Sequence, residues 1–240
     1  ALGCYLLTQL ARVGTILFGV SLGLSALTGW SVPVIIVAGG IAVTVYTLVG
    51  GIAAVIWTDV IQSLVLLVGA LVIAGLLLAN HPHGPGEALH LAANEGKFSL
   101  GSFGLDLTQS TFWVVFLYGV FINLNNFGID QSFVQRYHAA RDEKAAARSV
   151  WTGAILYVPV AALFFLIGSL LFSFYHASPE LLETLVAQYP DDYADKVLPH
   201  FIATQLPPGA AGLLIAAIFA AAMSSIDTSL NSAATVTLKD

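Results

Sequence analysis

The chain has 240 residues, of which 58% are hydrophobic and only 9% are charged. Together with a mean hydropathy of +0.86, this composition excludes an ordinary soluble domain. The eight Lys and Arg residues are too few for a nucleic-acid-binding surface, and the single cysteine excludes an internal disulfide framework.

Six apolar segments are long enough to cross a bilayer, which takes about 20 residues per helix. In chain order they are residues 1–28, 33–49, 52–79, 110–129, 149–176 and 209–237. Only Gly50 and Gly51 separate the second segment from the third, so we expect a tight antiparallel hairpin there. The sequence therefore predicts an all-α membrane protein with about six transmembrane helices in a single domain, residues 1–240.

Basic residues predict the orientation of these spans. Half of the eight Lys and Arg lie between the fourth and fifth spans: Arg136, Arg141, Lys144 and Arg148. The positive-inside rule then makes the loop 130–148 cytoplasmic, with Lys239 on the same side of a plasma membrane. Because the chain begins inside an apolar stretch without a start methionine, we expect it to be a piece of a longer membrane protein.

The last span carries oxygen-bearing side chains in an Ala-rich helix. They are Ser224, Ser225, Asp227, Thr228 and Asn231. Such groups are costly in hydrocarbon and usually serve an ion or substrate path, and oxygens are the ligands that hard cations prefer. Asp59 lies at a similar depth in the third span, where it belongs either to a cation site or to a structural ion pair.

The first span contains one basic residue, Arg12, on the same helix face as Gln9 and Tyr5. A guanidinium in hydrocarbon must be paired or face water, and its planar fork suits a carboxylate. Arg12 therefore either binds the carboxylate of a solute, or reaches the interface or a neighbouring helix.

The fourth span places Asn123, Asn126 and Phe127 along one face, and Gly128 allows a break after them. These residues are typical of a pocket for a polar organic ligand, although amides also bond helices to each other. The histidines of the 80–109 segment, His81, His83 and His90, lack the spacing of a transition-metal site, so none is predicted.

Three stretches of the chain resemble the sodium/solute symporter family, which includes sodium–glucose, sodium–proline and sodium–sialic acid transporters. They are GGIAAVIWTDVIQ, DQSFVQRY and AAAMSSIDTSLNS, in the family's order. The LARVG context of Arg12 is similar to bacterial sialic-acid-type members in particular. The resemblance implies a five-plus-five inverted-repeat core, of which this chain looks like helices three to eight, and implies that the chain alone does not transport.

The resemblance also implies roles for individual residues. The main sodium site corresponds to Ala221, Ser224 and Ser225. A second cation site, for sodium or a proton, corresponds to Asp59, Ser224, Asp227 and Thr228. The substrate residues correspond to Arg12, Asn123 and Asn126, to which the residue pattern adds Phe127. Two positions depart from the family: Asn126 replaces an aromatic gate, and Asp227 replaces a more usual hydroxyl.

The predicted function is sodium-coupled symport of a small organic solute that carries a carboxylate: a sialic acid, a sugar acid or a monocarboxylate. Its partners are that solute, sodium as the coupling ion and the lipid bilayer, with no nucleic acid and no cofactor. The protein is not predicted to be an enzyme. Neutral-sugar transport, a channel or sensor on the same scaffold, and an intramembrane aspartyl protease using Asp59 and Asp227 are the alternatives.

Overall fold

A computed structural model of the chain describes residues 2–239, except for the side chains of Ala26 and Lys239. The predicted position of the Lys239 charge thus lies outside what is described. The described residues form nine helices and no strand, which confirms the all-α class. The helices are α1 (Leu2–Thr28), α2 (Val32–Ala79), α3 (Pro85–Asn94), α4 (Phe112–Gly128), α5 (Gln131–His138), α6 (Glu143–His176), α7 (Pro179–Gln188), α8 (Tyr193–Gln205) and α9 (Pro208–Lys239).

Within the part of the chain that the structure describes, four helices are long and apolar enough to cross a membrane: α1, α2, α6 and α9. Helices α4 and α5 meet at 44° and together make a fifth candidate span. The break between them directly follows Gly128, where the sequence predicts it.

The 48-residue helix α2 holds two of the predicted spans, because its two halves run in opposite directions along α9. In the first half, Val43 lies in a buried cluster with Ala222, and Tyr46 farther along bonds Asp227. Residue numbers rise together on both helices, so residues 32–50 run parallel to α9.

The second half of α2, residues 52–79, runs the other way. Asp59 lies near Thr228, since one Arg136 nitrogen contacts both side chains. Ten residues later, a Cβ built on Gly69 would lie 2.7 Å from the Cβ of Ala217. Numbers rise on α2 and fall on α9, so this half is antiparallel to α9.

The reversal takes place at the glycine pair. Gly51 has φ 56° and ψ −157°, a region that side chains rarely adopt. A Cβ on Gly50 would lie 2.1 Å from that of Ala54, closer than any real contact. The predicted hairpin is therefore present, and the spans number six when α2 is counted as two.

Helix α9 lies at the centre of the bundle and packs against α1, α2, α5 and α8. A large apolar cluster joins the second half of α2 to α6, α7 and α8, with the rings of Phe174 and Phe201 edge to face at 5.0 Å. This cluster fixes one end of the bundle, while the polar side chains of α9 lie toward the other.

We expect Gly69→Ala to lower the free energy of unfolding by about 1–3 kcal/mol, because the new methyl group collides with Ala217 and forces α2 and α9 apart. The matched control is Gly75→Ala in the same helix, where a Cβ meets nothing within 4 Å. Thermal unfolding in detergent measures both. Equal stability of the two variants would contradict the close packing of α2 on α9.

Candidate functional site

A cavity of about 260 Å³ lies between α1, α2, α5 and α9. Its lining is mostly polar and consists of Arg12, Asp59, Ser63, Ser132, Phe133, Arg136, Ser224, Ser225 and Thr228. The cavity thus brings together the guanidinium of the first span, the carboxylate of the third and the hydroxyls of the last, which the sequence leaves on separate helices.

Two hydroxyls of α9, those of Ser224 and Ser225, line one side of this cavity. The hydroxyls of Ser224 and Ser225 donate hydrogen bonds of 3.1 and 3.3 Å to the carbonyl oxygen of Ala221. Positions i, i+3 and i+4 of a helix share one face, so the helix itself produces this group. Two ligands at right angles, each about 2.4 Å from a cation, are about 3.4 Å apart. The oxygens are spaced closely enough to ligate one hard cation, whose binding would replace these two hydrogen bonds.

The carboxylate of Asp59 is paired with Arg136 from α5. One guanidinium nitrogen, Nη2, lies 2.5 Å from Asp59 Oδ2 and 2.7 Å from the hydroxyl of Thr228. The sequence leaves open whether Asp59 belongs to an ion pair or a cation site, and the structure contains the ion pair. It places Arg136, which the sequence analysis counts only among the basic residues of the loop 130–148, between two oxygens predicted for the second cation.

Asp227 has a different environment. It is completely buried, and its Oδ2 accepts a 2.5 Å hydrogen bond from the hydroxyl of Tyr46 on α2. Its other oxygen, Oδ1, lies 3.4 Å from the hydroxyl of Thr228, and Asp227 is not part of the cavity lining. Asp227 thus contacts Thr228 directly, Asp59 is connected to Thr228 through Arg136, and each carboxylate has its own hydrogen-bond donor.

Helix α5 is joined to α9 by further polar contacts. Asn231 donates a 2.8 Å hydrogen bond to Gln135 Oε1, and the hydroxyls of Ser132 and Ser232 are 3.3 Å apart. Ser132 and Gln135 are buried although they are polar. One face of this eight-residue helix thus binds α9 through hydrogen bonds rather than through apolar packing.

Arg12 lines the cavity with an exposed side chain and forms no ion pair with the residues that the structure describes. Gln9, one turn away, is buried and donates a 2.8 Å hydrogen bond to the hydroxyl of Tyr5. The guanidinium is therefore available to a ligand in the cavity.

The other predicted substrate residues lie on α4, outside the cavity lining. The amide of Asn123 is exposed and donates to the carbonyl oxygen of Gly119, at 2.7 Å, and Asn126 is half-buried. Phe127 packs on Phe133, whose ring lies 5.0 Å away and lines the cavity. The structure does not bring these residues together with Arg12, and their role stays a prediction.

Sequence reasoning missed several residues of the site. Ser63, Ser132 and Phe133 line the cavity, and Tyr46 holds Asp227. Tyr46 and Ser63 differ from their neighbours only as polar groups in apolar spans, and Ser132 and Phe133 lie in the polar DQSFVQRY stretch, where nothing distinguishes them. Among the described residues, no three His, Cys, Asp or Glu side chains are close enough to hold a metal ion together.

Comparison with known proteins gives consistent results. The profile of the sodium:solute symporter family matches residues 4–240. The chain is 37% identical to the sodium/sialic acid symporter SiaT of Proteus mirabilis and 34% identical to the sodium/sialic acid symporter NanT of Aliivibrio fischeri. These alignments cover 95% and 96% of the chain, and in each case 45% of the relative.

The fold also matches a solved structure, that of a sodium-coupled sialic acid symporter in a substrate-bound outward-open state. The TM-score is 0.91 at 36% sequence identity, over 98% of this chain and 49% of the solved one. The chain thus spans about half the length of the proteins it matches.

Proposed function

Because the chain belongs to the sodium:solute symporter family, we propose that it takes part in sodium-coupled symport of a small organic solute bearing a carboxylate. A sialic acid, a sugar acid and a monocarboxylate are the solutes in this class. The observation that carries the proposal is one cavity lined both by the hydroxyls of Ser224 and Ser225 and by the available guanidinium of Arg12. Ion and solute sites that share a cavity can influence each other's affinity, and that influence is reciprocal.

The coupling sodium ion is proposed to bind at Ala221, Ser224 and Ser225. Support comes from the convergence of the carbonyl oxygen with the two hydroxyls at the cavity wall. These ligands are neutral, so the positive charge at the site is that of the bound cation. Groups outside the contacts described here can complete its coordination.

The solute is proposed to bind through Arg12, with Asn123, Asn126 and Phe127 on the α4 side. The exposed guanidinium of Arg12 supports a contact with a carboxylate, because it forms no ion pair among the described residues. Phe127 is connected to the cavity through its contact with Phe133. The proposed roles of Asn123 and Asn126 rest on their helical spacing and on the resemblance to the family, and that of Phe127 rests on its spacing.

A second cation site, for sodium or a proton, is proposed at Asp59, Ser224, Asp227 and Thr228. Its support is that the Thr228 hydroxyl contacts Asp227 directly and is connected to Asp59 through a single Arg136 nitrogen. Two of its oxygens already hold the Arg136 guanidinium, and that contact is the subject of the next subsection.

The relatives named above are transporters, which agrees with a protein that is not an enzyme. An aspartyl protease requires two carboxylates that share one proton. Asp59 binds Arg136, whereas Asp227 binds Tyr46, so no shared hydrogen bond supports that alternative. Neutral-sugar transport stays a candidate that binding of solutes with and without a carboxylate distinguishes.

The protein is a multi-pass integral membrane protein. We propose the bacterial inner membrane as its location, with the loop 130–148 in the cytoplasm. Arg136 is engaged with Asp59, so the positive-inside argument now rests on Arg141, Lys144 and Arg148. Residues 1–240 are proposed to belong to a single transporter domain.

Thermal shift of the intact protein against a panel of solutes, in sodium and in potassium buffers, tests the proposal. A solute that binds the native state raises the unfolding temperature according to its concentration relative to Kd. We expect carboxylate solutes to stabilise the protein more strongly in sodium. If neutral sugars alone stabilise the protein, the proposed solute class is wrong, but the proposed sodium site is unaffected.

We expect Arg12→Lys to weaken binding of an acidic solute about tenfold, because lysine keeps the charge but loses the two-pronged contact with a carboxylate. Isothermal titration at saturating sodium measures this change. Arg141→Lys, an exposed position in the loop before α6, is the matched control and should bind as the parent does.

The neutral amide of the same solute provides the complementary test of Arg12. It should bind weakly to the parent and lose little further affinity in Arg12→Lys. Equal binding of the acid and the amide by the parent would contradict the proposed contact with Arg12.

A further inference from the structure

One atom of Arg136 occupies the space between two oxygens of the proposed second cation site. Its Nη2 lies 2.5 Å from Asp59 Oδ2 and 2.7 Å from the Thr228 hydroxyl. These distances are close to those from a bound cation to its oxygen ligands. A cation between the same oxygens would coincide with the guanidinium nitrogen, so the two cannot be present together.

The ion pair is made through one atom of each partner. An arginine and a carboxylate can form two parallel hydrogen bonds, and that geometry is the strong one. Here Asp59 Oδ1 and Arg136 Nε are both buried and have no hydrogen-bond partner among the described residues. One oxygen of the Asp59 carboxylate is therefore left without a hydrogen bond among the described residues. The guanidinium is held less firmly than it would be by two parallel hydrogen bonds.

Arg136 is also the contact through which α5 reaches α2. The remaining links from α5 to α9 are neutral, from Gln135 to Asn231 and from Ser132 to Ser232. The break at residues 129–130 makes α5 a separate helix, which meets α4 at 44° and is joined to it by a hydrogen bond from Tyr137 to the carbonyl oxygen of Phe127. Loss of the Arg136 contact thus removes the only charged attachment of α5 among the described residues.

We propose that the Arg136 guanidinium competes with the second cation for the same oxygens, so that sodium binding at Asp59 and Thr228 breaks the Arg136 contacts and loosens α5 from α2 and α9. This inference rests on the proposed function and adds a positioning residue to it. Competition for the same oxygens makes the effect reciprocal: sodium weakens the attachment of α5, and a firmly attached α5 weakens sodium binding.

The first test is sodium affinity in the intact protein, measured by sodium titration of solute binding. Arg136→Gln should raise the affinity of the second, weaker sodium component between about 5- and 150-fold, the usual range of such coupling. Arg141→Gln removes the same charge from the neighbouring loop and should leave the affinity unchanged. Adding Asp59→Asn to Arg136→Gln should abolish the gain, because the carboxylate is then missing.

The second test is amide hydrogen exchange in residues 131–138, with sodium compared to potassium at equal ionic strength. Sodium should speed exchange there in the parent and also in Ser225→Ala, where the other sodium site is impaired. In Arg136→Gln, exchange should be fast and no longer respond to sodium. A purely structural role for Arg136 would speed exchange but leave sodium affinity unchanged.

The outcomes separate this inference from the proposed function. Solute binding without any sodium dependence in the parent would overturn both. Sodium-dependent binding with unchanged affinity in Arg136→Gln would overturn the competition alone. If Arg136→Gln does not fold, hydrogen exchange in the parent is the test. If sodium slows exchange in residues 131–138 or leaves it unaltered, the proposed loosening of α5 is wrong.

Discussion

Ser225→Ala in the intact protein is expected to weaken sodium affinity by about 5- to 150-fold, the equivalent of about 1–3 kcal/mol. The Ser225 hydroxyl lies 3.3 Å from the carbonyl oxygen of Ala221 and lines the cavity, so alanine removes one ligand without disturbing the helix. Sodium dependence of solute uptake gives the half-saturating concentration, which should rise while folding is unaffected.

Thr237→Ala is the matched control for this variant. Its hydroxyl donates to the carbonyl oxygen four residues earlier, as that of Ser225 does, but it lies on an exposed part of the same helix. The control should keep the parent's sodium half-saturation. An unchanged half-saturation in Ser225→Ala as well would remove Ser225 from the sodium site.

Asp59→Asn is expected to reduce the free energy of unfolding by about 2–3 kcal/mol and to change the ratio of ions to solute. Removing one partner of a buried ion pair costs about 3–5 kcal/mol. The Arg136 side chain is 39% exposed, so solvent screens part of the charge that is left behind. Reversal potentials give the ion-to-solute ratio, and chemical or thermal unfolding gives the stability.

The double variant Asp59→Asn/Arg136→Gln provides the control for stability. It removes both charges, so it should be more stable than Asp59→Asn alone. Solute affinity at saturating sodium should change little in either variant, because Arg12 is retained. If Asp59→Asn keeps the same ion-to-solute ratio as the parent, Asp59 takes no part in cation coupling.

The helices were predictable from the sequence because apolar length and glycine position are local properties. Gly50 and Gly51 fix the reversal within α2, and Gly128 precedes the bend before α5. Ser224 and Ser225 were equally visible, because they are polar residues in an apolar helix, whereas Ala221 was indicated only by the resemblance to the symporter family.

The contacts between distant segments were not predictable. Arg136 lies 77 residues from Asp59, and Tyr46 lies 181 residues from Asp227. Their pairing depends on how α2 and α5 pack on α9, which no local pattern encodes. In the sequence, Arg136 is recognisable only by its positive charge near the end of a span. Such a charge favours a cytoplasmic loop but does not indicate a specific partner.

The face of α4 illustrates a different limit. The spacing of Asn123 and Phe127 correctly indicates a helix, but periodicity does not show which face a membrane helix turns toward the bundle. In a bilayer both the lipid-facing and the packed faces are apolar, so the usual contrast between polar and apolar sides is weak. Asn123 is exposed, away from the lining of the cavity that holds Arg12.

Uptake of a labelled sialic acid into proteoliposomes that contain the intact protein tests the central claim most directly. An inward sodium gradient should drive concentrative uptake that a potassium gradient does not support. In Ser225→Ala the same uptake should need a higher sodium concentration, and excess unlabelled carboxylate solute should compete with it. Carboxylate solutes that enter equally with and without the sodium gradient would contradict sodium-coupled symport.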